Sequence, residues 1–139
     1  MRWPHEPANM SWPRALAALL FIIMAESVNG TLRQVFVAPV VGDLHARQLG
    51  LLVAMGLIFV IACMCIRWIG ARLRSDQLKV GAVWVVLMLG FEFSIGIALG
   101  YDIDRLTADY NPLKGGYMLL GMAFLFFAPA LAAAARRYR

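Results

Sequence analysis

Glu26, Asn29, Gly30 and Arg33 recur at i, i+3, i+4 and i+7, the spacing of one helix face, inside a run that is otherwise apolar from Ala15 onward. A second carboxylate, Glu92, interrupts another apolar run, and Gly96 and Gly100 follow it at i+4 and i+8. Charge is costly in hydrocarbon, so ionisable groups in such runs turn toward a bundle interior or a water-filled path, where they exchange protons or bind substrate. Glu26, Glu92, Arg33 and Asn29 are therefore the candidate proton- or substrate-binding residues. Arg33, about 10 Å along the helix from Glu26 at 1.5 Å per residue, can pair with a carboxylate or snorkel to the surface. Gly96 and Gly100 share the face of Glu92 in a G-x-x-x-G pattern and are the candidate helix-packing positions.

The elements that must hold these residues are membrane spans. The 139 residues are 62% hydrophobic and 15% charged, far more apolar than a soluble domain, in which about a quarter of residues are charged. The pattern predicts an all-α fold, a four-helix transmembrane bundle, with spans over about 15–38, 49–66, 80–100 and 117–135. Residues 1–14, with three prolines and two tryptophans, predict an irregular interfacial lead-in. Ala25 and Ser27 have the spacing of a signal cleavage site, but Glu26 and the apolar sequence beyond it predict an uncleaved first span. That span inserts poorly by itself. The six strongly apolar residues between Ala15 and Ala25 each contribute about −0.3 to −0.6 kcal/mol, against about +2.5 to +3.5 kcal/mol for a central acidic residue. Partner helices must cover its polar face.

Charge sets the expected orientation. Arg2, Arg14, Arg67, Arg72, Arg74, Lys79, Arg136, Arg137 and Arg139 fall on the side of the two termini and the 67–79 loop, leaving Arg33, Arg47, Arg105 and Lys114 for the other. Both termini are expected in the cytoplasm, N-in and C-in, with the bacterial inner membrane as the location. Glu26 lies 12 residues beyond Arg14 and Glu92 lies 13 beyond Lys79, which puts both at a depth of about 18 to 20 Å at the helical rise.

The remaining polar groups suggest little chemistry. Cys63 and Cys65 point to different helix faces and read as small apolar packing residues, with neither a disulfide nor a zinc site expected. Asp43 is expected to cap the second helix and His45 to sit at the water interface. Asp102, Asp104 and Asp109 lack calcium-loop spacing and read as a solvated turn with Asn111 and Pro112, and Pro129 as a kink in the last span. No cofactor, metal or nucleic acid partner is expected. Asp43, His45 and Arg47 are the only polar side chains grouped as an enzyme would need, which disfavours catalysis.

The Glu26 to Arg33 segment, with Pro39, Gly42-Asp43, Ala46-Arg47-Gln48, Phe91-Glu92-Phe93 and Asp109-Tyr110-Asn111, resembles a family of small uncharacterised bacterial four-span membrane proteins. That resemblance covers most of the chain and implies no activity. A more distant similarity is to small multidrug resistance transporters, which have four short spans and a glutamate in the first, within Ala-Glu-x-x-Gly-Thr. Ala25-Glu26-Ser27-Val28-Asn29-Gly30-Thr31 has one residue more, which turns Gly30 by about 100° around the helix, and Glu92 and Arg33 have no counterpart there. The similarity implies a proton- and substrate-binding role for Glu26 alone. Two functions follow from the residues: a proton-coupled transporter using both glutamates, working as a homodimer, or an accessory subunit whose polar helix face binds a larger membrane complex. A third possibility is that the polar stripe only holds helices together.

Overall fold

Each apolar run becomes one long helix, and the computed structural model, which describes residues 10–108, 111, 113 and 118–136, is a four-helix transmembrane bundle. The span-length helices are α1 Trp12–Val41, α2 Asp43–Ile69, α3 Arg74–Ala98 and, after a short α4 Ile103–Ala108, α5 Met118–Ala135. The rest of the interfacial lead-in, Asp109, Tyr110, Pro112, Lys114, Arg137 and Arg139 lie outside the described residues.

The helices overrun the apolar runs because a helix needs no hydrocarbon to satisfy its own backbone. α2 begins at Asp43, one residue before the start expected with Asp43 as its cap, and α3 begins six residues earlier than hydropathy predicts; Asp43 and Asp76 lie in their first turns, where the helix dipole favours acid. α1 likewise starts inside the stretch expected to be irregular. Ser11 caps it by accepting from the Arg14 amide at 3.4 Å, and Pro13 stands in the first turn, where no hydrogen bond is lost. The interval after α3, expected to be a loop, carries α4, and Asn111 Oδ1 then accepts from the Leu113 amide at 3.0 Å in a turn. Helical structure continues through Pro129, which is buried.

α1 is not uniform. Residues Arg33–Val37 form a π-turn in which the Ala38 amide donates to Arg33 O, five residues back. Pro39 supplies the cause, since it has no N–H to offer Val35 and its ring crowds that carbonyl. The helix widens one turn beyond Asn29, directly at Arg33.

α1 packs on α2, α2 on α5 and α5 on α3, while α1 and α3 touch only sparingly. The core lies at the end where Ser11, the 70–73 turn and Arg136 meet, built from Ala15, Ala18, Leu19 and Ile22, then Ile58, Ala62 and Ile66, Val80, Trp84 and Met88, and Leu125, Ala128 and Ala132. Trp84 is fully buried there and its indole N–H donates to Ala15 O at 2.9 Å. Ser11 N donates to Ile69 O at 2.8 Å, Arg14 to Trp68 O at 3.0 Å, Arg67 to Arg136 O at 2.9 Å and Arg136 to Cys63 O at 2.8 Å. The Trp68 and Arg136 carbonyls stand at helix C-termini, where cations are favoured. Cys63 and Cys65 are free and pack half-buried against the core.

Two glycines fix the path of α3. A Cβ at Gly81 would lie 1.9 Å from Phe126 O, so only glycine lets the α3 and α5 backbones cross that closely. Gly100, with φ at +84°, ends the helix instead of extending its packing face. Tyr101 N donates to Gly96 O at 2.9 Å and Gly100 N to Ile97 O at 3.0 Å, the paired bonds of a Schellman turn.

Candidate functional site, an ionisable cluster where the core stops

The last buried residue of α1 is Ile22, and Glu26 stands one turn beyond it; in α3 the core ends at Met88, and Glu92 stands one turn beyond that. Residues four apart lie on one helix face. Both carboxylates therefore continue the core-facing stripes of their helices to the point where apolar packing gives out. Gly96, four residues further along α3, is buried, whereas Gly100 is exposed beyond the helix end.

Glu26 and Glu92 are both half-buried. The Glu26 carboxyl lies beside the Asn29 side chain and within electrostatic reach of Arg33 and of Glu92, and Glu92 is within reach of Arg33 as well. Electrostatic reach links Glu26, Arg33 and Glu92, and Asn29 lies one turn from Glu26 on the same helix face. Asn29 also ties that face to α2, donating through Nδ2 to Gly50 O at 3.3 Å.

Arg33 reaches the cluster by lying across Gly50. A Cβ built there would be 2.9 Å from Arg33 Cδ, and one at Gly30 would be 3.8 Å from Nη2. The guanidinium stem therefore runs over α2 and back along α1 instead of outward. Its Nε is buried without a hydrogen-bond partner, and so is Glu26 Oε1. Neither carboxylate makes a direct ion pair with Arg33 among the described residues.

Beside Arg33 and Asn29, between α1 and α2, is a cavity of about 330 Å³ with Leu32, Phe36, Ala46 and Val53 among its walls. Arg33 and Asn29 line this space, and the two carboxylates do not. Gly50 forms its floor, and nothing in its sequence neighbourhood marks it for that role. Asp43 and Arg47, by contrast, pair with each other at 3.2 Å along the first turn of α2, where Gly42 holds the capping position, and His45 is exposed. Among the described residues no group of three His, Cys, Asp or Glu side chains is placed to hold a metal ion.

Fold and cluster together define a class, a multi-pass helical membrane protein with ionisable side chains gathered at the margin of its core. No protein-family model, curated protein or solved structure matches the chain.

Proposed function

We propose that the protein is a small proton-coupled transporter of the bacterial inner membrane, with both termini cytoplasmic, in which Glu26 and Glu92 exchange protons for a small cationic substrate. The observation that supports this reading is unused hydrogen-bonding capacity. A cluster serving only to hold helices would join its charges directly, because a buried polar atom left unpaired costs about 1–3 kcal/mol. Glu26 Oε1 and Arg33 Nε instead lack partners a short distance from each other's field. Two neighbouring carboxylates share protons as a unit, and a cation entering between them takes the place of the proton that leaves. Asn29 and Arg33 position the pair, and the cavity beside them admits water or substrate. Four spans enclose little volume, so the working unit is a homodimer.

The test is uptake of a permeant-excluded organic cation into proteoliposomes driven by an imposed pH gradient. Glu26→Gln and Glu92→Gln should each abolish the gradient-driven component. Unchanged uptake in both variants would remove the mechanism.

A second reading, an accessory subunit, is favoured by one feature: α1 buries no residue beyond Ile22, which leaves its second half available to a foreign span. Purification in mild detergent would then retrieve a stoichiometric membrane partner.

A further inference from the structure

Sharing no lining residue with the α1 cavity, a groove of about 410 Å³ borders α5, with walls that include Met55, Leu120, Phe124, Phe127 and Leu131 and with Arg74 as its single charged member. Apolar walls in a membrane protein ordinarily meet lipid without selecting it. The cation changes that.

The groove's direction follows from the packing. Arg67 of α2 donates to Arg136 O just past α5, so the Leu131 end of α5 lies beside the end of α2 and the 70–73 turn. α3 crosses α5 at Gly81 and Phe126, and Arg74 lies two turns from Gly81 toward that same end. From Leu120 to Leu131 the groove follows 11 residues of helix, about 16 Å at 1.5 Å per residue, or about half of a hydrocarbon core of ~30 Å. An apolar channel one leaflet deep, with a guanidinium at its headgroup end, has the dimensions and charge order of one acyl chain and its phosphate.

Arg74 is available for that role. It is exposed, and no hydrogen bond or ion pair engages it among the described residues. Arg72 and Lys79 are exposed nearby, and Asp76, half-buried, is the one carboxylate of the stretch 70–80. A planar guanidinium binds phosphate oxygens through two parallel N–H donors, which an ammonium does not do.

From this arrangement we infer that the α5 groove is a binding site for an anionic phospholipid, with one acyl chain along Leu120 to Leu131 and the phosphate on Arg74. The site is separate from the carboxylate cluster and does not depend on transport. Native mass spectrometry of the detergent-solubilised protein titrated with phosphatidylglycerol or phosphatidylcholine tests it. Phosphatidylglycerol should be retained preferentially, and Arg74→Gln should weaken its retention about fivefold, the factor equivalent to ~1 kcal/mol for one basic residue at an anionic surface. Ala123→Phe, which places a ring at an exposed position in the groove, should weaken retention while leaving the cation in place, and Lys79→Gln should leave it unchanged. Equal retention of the two lipids would overturn the inference, as would phosphatidylglycerol binding that is insensitive to both Arg74→Gln and Ala123→Phe.

Discussion

Asn29 donates to Gly50 O of α2 and stands beside the Glu26 carboxyl one turn back on its own helix, and so ties the carboxylate's surroundings to α2. Removing it leaves the Gly50 carbonyl without that donor and frees the Glu26 side chain to change rotamer. Asn29→Ala is expected to lower stability by about 1 kcal/mol, the net worth of a hydrogen bond. It should reduce gradient-driven uptake far more than that figure suggests, because orientation is lost along with the bond. A thermal shift in detergent and uptake in liposomes, measured on one preparation, separate the two effects; a loss of stability with normal uptake would reduce Asn29 to packing. At this scale the sequence was informative about one helix at a time. The spacing of Glu26, Asn29, Gly30 and Arg33 marked one face of α1. It could not give Gly50, because a glycine under an arginine from another helix leaves no local pattern.

The helices are individually ordinary in their apolar content, and their irregularities are where position is decided. Pro39 widens α1 at Arg33, Gly81 brings α3 against α5, and Gly100 stops α3. Gly81→Ala is expected to be among the most damaging small substitutions in the chain. Its Cβ would meet a backbone carbonyl, which no rotamer change relieves, and overpacking costs about 1–3 kcal/mol even where side chains can adjust. A lower midpoint of thermal unfolding and poor recovery as a single species on size exclusion should report it, whereas wild-type behaviour would mean that α3 and α5 are not in such close contact. Hydropathy located all four spans, and Asp43 marked the start of α2 to within one residue, but the start of α3 was placed too late, because the helix carries on into the polar interface. The G-x-x-x-G spacing was real as a sequence pattern, yet its second glycine serves to terminate the helix. A positive-φ turn and a packing contact both call for glycine, and spacing alone does not separate them.

Across the whole molecule, one end is tightly joined and the other is not. Backbone hydrogen bonds, arginines on helix ends and the buried Trp84 lock the helices together at the 70–73 turn, while α1 beyond Ile22 has no buried residue. Trp84→Phe should therefore lower the thermal midpoint by a few degrees through loss of the bond to Ala15 O and of indole volume, without altering gradient-driven uptake. The composition made the four-span bundle legible from the outset. The asymmetry of its packing was not, since similar apolar residues face core at one end and lipid at the other. It is this asymmetry that leaves Glu26 and Glu92 at the edge of the core, each one turn beyond the last core residue of its helix. The most direct measurement is proton release when an organic cation such as tetraphenylphosphonium is added to the purified protein in weakly buffered detergent solution, with binding followed in parallel by calorimetry. Release of about one proton per cation bound is expected, since one ligand then replaces a proton on a coupled carboxylate pair, with loss of that release in Glu26→Gln and Glu92→Gln. Cation binding with no proton release, or release that is the same in both variants, would contradict the proton-exchange mechanism.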